Sequence, residues 1–147
     1  DDPKDPKQRE EMRHIPYREA VGALMWAAIM TRPDISFVAH NLAKFCDDPG
    51  AVHWKAAMKV LRYFWRTKGL SITYGGVTSR GLTMSAYVDS DHATCQDSRR
   101  SVSCGAVILR GGAVSWLSRA QRVTASVSSE LKYVALEEIV NETKFLR

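Results

Sequence analysis

Two short stretches of the sequence collect residue types that hold metal ions. "SAYVDSDHA" (85–93) places Asp89 and Asp91 at the end of an alternating run, and "SELKY" (129–133) places Glu130 and Lys132 at the start of a helical one. Carboxylate oxygens are the ligands that hard Mg²⁺ takes, and a pair of such ions cleaves phosphodiester backbones by activating water and stabilising the leaving oxygen. If the two stretches meet in space, they form either a two-metal nuclease site or one in which Lys132 stands where a carboxylate is needed. Taken alone, aspartates at a strand end terminate the strand and face water, because aspartate favours turns.

A second chemistry is phosphate binding. Lys55, Lys59, Arg62 and Arg66 fall at i, i+4, i+7 and i+11, one face of a helix, beside Tyr63 and Trp65, while Arg99, Arg100, Arg119 and Arg122 gather near strand ends. Stripes of this kind supply phosphate contacts whose affinity falls steeply with salt, although the outer side of any amphipathic helix is also charged. Trp54 and Trp65, at core spacing, are expected to be packed. His53 and His92 read as surface histidines, an acid–base role for His92 near Asp89 being the other reading. Cys46, Cys95 and Cys104 are odd in number and lack metal-ligand spacing, which predicts reduced thiols and neither a disulfide framework nor a zinc site. Neither a glycine-rich phosphate loop nor a serine or cysteine nucleophile context is found.

These residues need elements to position them. The chain is 147 residues long and 45% hydrophobic, enough for one core or two small ones. Its net charge of +5 suits a polyanionic partner without requiring one. Residues 1–14 are charged, hold two prolines and show no periodicity, which predicts a flexible arm. Over 15–69 the apolar spacing is helical: Tyr17, Val21, Leu24, Met25 and Ala28, then Ile35, Val38, Leu42 and Phe45, then Trp54, Met58, Leu61 and Trp65. Pro16 and Pro33 sit at helix starts, and "CDDPG" (46–50) and Gly69 end helices, so a small bundle is expected. The period then changes to 2. "LTMSAYVD" (82–89) and "SVSCGAVIL" (101–109) read as strands, "RGG" (110–112) as a hairpin connection into "AVSWLS" (113–118), and "LSITY" (70–74) as a possible short strand followed by the flexible turn "GGVTSRG" (75–81). A helix over 128–147 starts on a serine cap. No apolar run reaches the roughly 18–20 residues of a membrane span, and the first fifteen residues carry no apolar leader core, so no membrane partner and an intracellular setting are expected.

"YREAVGALMWAAIMTRPDISFVAHNLAKF", "HWKAAMKVLRYFWRTKGLSITY" and the stretch from "SAYVDSDHA" to "SSELKYVAL" resemble, in order and spacing, the carboxy-terminal part of the polyprotein of copia-type LTR retrotransposons. The resemblance runs from about Ile15 to Arg147. It implies a helical thumb or connection region over 15–69 and, over 70–147, an incomplete ribonuclease H-like subdomain: an α+β chain whose bundle is followed by an antiparallel sheet and a helix.

The family's nuclease uses four carboxylates and two divalent metals. Asp89 in "YVDSD" matches the first, in the family's "YSDAD", with Asp91 as a neighbour. Where the family reads S-S-T-E-A-E-Y, this chain reads V-S-S-E-L-K-Y (127–133). The first glutamate of that pattern has capping-box spacing, so the second is the expected ligand and Lys132 its replacement. Glu130 takes the role if the helix starts one turn differently. Two further aspartates would follow beyond Arg147, so the chain looks cut from something longer. Mg²⁺ binding at Asp89, Asp91 and Glu130 is therefore expected to be weak, and independent cleavage absent. The implied function is that of a fragment or degenerate copy of a reverse transcriptase/ribonuclease H that binds RNA–DNA hybrid or duplex through Lys55, Lys59, Arg62 and Arg66. The alternatives are a domesticated protein-interaction module and a piece of an intact hybrid endonuclease. The first strand would also show an open edge, to be covered by 70–74 or by a second copy in a homodimer.

Overall fold

A computed structural model of the chain describes residues 6–75, 83–91, 101–121 and 128–146. It divides into two compact units, Asp1–Ser71 and Ile72–Arg147. The first is helical, and the second is a three-stranded antiparallel sheet with a helix packed on it, so the chain is α+β.

The helical unit begins with α1 (Pro6–Met12), inside the stretch expected to be a flexible arm. Pro6 supplies a pre-set φ at the first helical position. Met12 is buried, and Arg9 reaches Asp48 at 2.6 Å. The arm is thus corrected over 6–12: the apolar anchor is a single side chain, too little to show as periodicity, and the ionic anchor is distant in sequence. Residues 1–5 of the arm lie outside the described residues.

Helix α2 (Tyr17–Met30) buries Tyr17, Val21, Leu24, Ala27 and Ala28, the i, i+4, i+7 stripe of its sequence. A 3₁₀ turn over Pro33–Ile35 leads into α3 (Ser36–Ala43), and Gly50 precedes α4 (Ala51–Arg66). Each of these three helices carries an alanine with no exposed surface, Ala28, Ala39 or Ala57, so they pack together around methyl groups with Leu24, Ile35, Leu42 and Val60 filling the core.

Tyr17, 2% exposed, donates its hydroxyl to the Leu42 carbonyl at 2.8 Å. Burial, helped by the neighbouring Cys46, pushes its phenol up to about 12. An unfolded phenol titrates near 10, so above that pH the unfolded chain releases a proton that the folded chain keeps. The stabilisation is complete below about pH 10 and is lost as pH rises toward 12. Urea unfolding across this range is expected to show a falling limb in the wild type that is shallower in Tyr17→Phe; equal slopes would refute the assignment.

The second unit contains β1 (Met84–Asp91), β2 (Val102–Leu109), β3 (Gly112–Ala120) and α5 (Ser128–Phe145). The strands form a meander in the order β1-β2-β3. Arg110 and Gly111, with φ of 50° and 82°, make the two-residue turn between β2 and β3, the left-handed pair that matches hairpin twist. Helix α5 buries Leu131, Ala135 and Ile139 against the sheet. A β-carbon on Gly105 would overlap Ile139, so Gly105 faces α5. By strand alternation Ser103 and Val107, both fully buried, face it too, together with their cross-strand partners Ser90 and Ala86 and with Val88, the partner of Gly105.

Residues 70–74 carry no strand. The Tyr74 hydroxyl donates to the Ala113 carbonyl at 2.7 Å and the Gly75 amide to the Arg110 carbonyl at 3.2 Å, so this segment lies on the β2–β3 turn. It does not pair with β1, contrary to the hairpin expectation: the bonds of Tyr74 and Gly75 go to the turn and the start of β3 instead. Among the described residues β1 is hydrogen-bonded to β2 alone.

Candidate functional site

The sequence places four cations on the outer side of α4, and the structure leaves them there. Lys55, Lys59, Arg62 and Arg66 are all exposed, while His53, Ala57 and Val60 of the same helix are buried and Trp54, Leu61 and Phe64 pack on the core. At 100° and 1.5 Å per residue the four side chains fall within an arc of about 60° and along about 16 Å of helix. Elsewhere several arginines are paired with carboxylates: Arg9 with Asp48, Arg18 with Asp47, Arg32 with Asp34 and Arg119 with Glu138. Among the described residues none of the four α4 cations has an acidic partner. Arg119, expected to join a basic cluster, is thus paired, at 3.1 Å. Arg99, Arg100 and Arg122 lie outside the described residues.

The far end of this stripe is clamped by a residue that sequence reasoning missed. Arg32, with a side chain 6% exposed, grips Asp34 with two hydrogen bonds of 2.8 and 2.7 Å. It also donates to the Thr67 hydroxyl at 2.7 Å and the Thr67 carbonyl at 3.3 Å, just past the end of α4. Its guanidinium lies 4.8 Å from the Phe64 ring centre, and the Tyr63 hydroxyl donates to Asp34 at 2.9 Å. The available signal was "RPD": an arginine two residues before an aspartate, with proline fixing the turn between them.

Two further expectations are corrected. Trp54 is packed, but Trp65 is 72% exposed: it points within about 20° of Trp54 around α4 but lies about three turns further along, in the last turn of the helix. His53 is buried: its ring stacks on Phe45 at 3.9 Å between centres, and Nδ1 accepts the Gly50 amide at 2.9 Å. It occupies the third position of α4, where an acceptor can satisfy a free amide at the helix start. His92 and Cys95 lie outside the described residues. Cys46 and Cys104 are free thiols, and burial raises the Cys46 thiol above its ordinary value.

The carboxylates are arranged differently from the cations. Asp91 pairs with Val102, Val102 with Ala120, and the following Gln121 donates its side-chain amide to the Leu131 carbonyl at 3.0 Å and to Ser103 Oγ at 2.9 Å. The first turn of α5, with Glu130 and Lys132 both exposed, therefore sits at the end of the sheet where β1 finishes. Asp89, however, pairs with Cys104 and alternates with Val88 and Ser90, which puts it on the face turned away from α5. There its carboxylate accepts the Ser90 amide at 2.8 Å. Asp89 and Glu130 share an end of the sheet and not a face, so these two do not fit a common two-metal cradle. Among the described residues no group of three or more histidine, cysteine, aspartate or glutamate side chains could hold a metal.

Known proteins supply the context for this geometry. The chain is 40% identical to the secreted RxLR effector protein 161 of Plasmopara viticola, over 92% of this chain and 94% of that protein. It is 34% identical to the retrovirus-related Pol polyprotein from transposon TNT 1-94 of Nicotiana tabacum, over 96% of this chain and 10% of the polyprotein. The corresponding polyprotein from transposon RE2 of Arabidopsis thaliana is 32% identical over 88% of this chain and 9% of its own length. Over most of its length the chain is homologous to a stretch of copia-type retrotransposon Pol polyproteins. It spans nearly the whole of the effector and about a tenth of either polyprotein. No family model and no solved structure matches it. Among the described residues no helix is long and apolar enough to cross a membrane.

Proposed function

We propose that the chain is a nucleic-acid-binding relative of the copia-type reverse transcriptase/ribonuclease H region that grips the phosphate backbone of a hybrid or duplex through α4 and does not cut it. The observation that carries this reading is the row of four exposed α4 cations without an acidic partner among the described residues. A ribonuclease H-like origin for the second unit accords with its meander of three antiparallel strands followed by a helix on one face. Absence of cleavage follows from chemistry: Lys132 brings an ammonium to the start of α5, which repels Mg²⁺, and Asp89 lies on the other side of the sheet from Glu130. Mg²⁺ binding at Asp89, Asp91 and Glu130 is correspondingly weak.

Fluorescence anisotropy with a labelled hybrid is expected to show binding at about micromolar strength or weaker that declines with salt. The double substitution of Lys59 and Arg62 by alanine should flatten the salt slope by nearly two units, since each neutralised phosphate contributes about 0.9. The same samples, given Mg²⁺ or Mn²⁺, should leave the RNA strand intact; cleavage abolished by Asp89→Asn would refute the non-cutting reading.

A second reading, a domesticated protein-interaction module, is favoured by one observation: the 40% identity extends over nearly all of a protein named as a secreted effector. An intracellular setting goes with the first reading and an exported one with the second. Lack of hybrid binding at low salt would favour the module.

A further inference from the structure

We infer that the α4 site selects single-stranded nucleic acid, with one unpaired base stacked on the ring of Trp65. The inference rests on the reading of α4 as a phosphate-binding stripe and adds what that stripe is built beside. Trp65 is 72% exposed. It lies about 60° around α4 from Arg62 and one residue before Arg66, at the edge of the cationic row. Lys68 places its Nζ 4.8 Å from the Trp65 ring centre. That contact orients the ring and brings a fifth cation to it, since an ammonium is held by the negative face of an indole. Trp26 shows the contrast: it is 67% exposed, but its helix neighbours Ile29 and Met30 are apolar and exposed too, and among the described residues no cation sits on its ring.

A cationic track with an aromatic platform at its edge is the arrangement that binds single strands with little sequence preference. Every base has a π-face to offer, but in a duplex those faces are buried against neighbouring bases. A duplex can therefore use the stripe alone, whereas an unpaired strand uses the stripe and the indole together.

The test uses the full chain with a fluorescein-labelled oligothymidylate of about 20 nucleotides and a duplex of similar length, at about 50 mM salt. The wild type is expected to bind the single strand more tightly than the duplex. Trp65→Ala should weaken single-strand binding on the order of tenfold and change duplex binding less than about twofold, while Trp65→Phe keeps most of the single-strand affinity. The double substitution of Lys59 and Arg62 by alanine should weaken both probes. Because Trp65 is exposed, an unchanged thermal melt will show that its truncation leaves the fold intact. Equal losses on the two probes, or none on the single strand, would overturn the single-strand inference and leave the phosphate stripe standing. Failure of both probes to bind the wild type would overturn the stripe reading and the inference with it.

Discussion

Replacing Arg32 by alanine is expected to reduce the stability of the helical unit by about 2–4 kcal/mol. The guanidinium is nearly buried, 6% exposed, while its partner Asp34 keeps 32% exposure. Removing one member of a fully buried pair costs about 3–5 kcal/mol because the other charge is stranded; here water reaches the stranded carboxylate and lowers that figure. The lost bonds to Thr67 and the lost packing on Phe64 add to it. Lysine should rescue little, since one ammonium cannot reproduce a planar two-point grip on Asp34 and reach Thr67 as well. Urea unfolding followed by circular dichroism measures the loss, and a change below about 0.5 kcal/mol would reject the account. An acid-side signature accompanies it. Hydrogen bonding from Arg32, supplemented by Tyr63 and opposed by burial, holds Asp34 below its ordinary value. The stability this provides is present above the unfolded carboxylate value of about 4 and is lost as pH falls through the folded one. Arg32→Ala should therefore also flatten the acid limb of the stability profile.

Gly105→Ala is expected to destabilise the sheet unit by about 1–3 kcal/mol, the usual penalty for inserting a methyl into a filled space. The new β-carbon would overlap the end of Ile139, come within 2.6 Å of its Cγ1, and lie 3.2 Å from the Tyr87 carbonyl oxygen. Ile139 must either rotate its side chain out of its packed position or move with α5 away from the strands. The effect should be conditional: in an Ile139→Ala background, where the space is vacated, Gly105→Ala should become nearly neutral or favourable. A double-mutant cycle reads this as a coupling of about 1 kcal/mol or more. Additive losses would show that the helix does not rest on Gly105.

Most of the architecture was legible in the sequence because apolar spacing reports directly on burial. Tyr17, Val21, Leu24 and Ala28 mark α2, and the change to alternation before Met84 marks the passage to strands. What escaped depended on partners remote in sequence. Helix α1 is fixed in part by Asp48, and 70–74 is drawn to the carbonyls of a turn, so neither had a local signature. His53 and Trp65 were misread because spacing gives the direction of a side chain but not how far the core extends along a helix. Buried Arg32 contradicts the ordinary preference of arginine for water, and only its hydrogen bonds to Asp34 and Thr67 make that burial tolerable. The acidic positions were found, yet the face that Asp89 occupies required the pairing register of β1 with β2.

That register gives the second unit a binary property. Side chains alternate with a period of two, so which residues meet α5 depends only on whether the offset between β1 and β2 is odd or even. In the observed offset Ser90 lies under α5, with its hydroxyl buried and unbonded, and Asp89 lies outside. Moving β1 by a single residue would exchange the two, burying Asp89 beside the first turn of α5 while keeping every strand and helix in place. Parity in one strand, more than the inventory of acidic residues, decides whether this scaffold holds a carboxylate against its helix or turns it toward solvent.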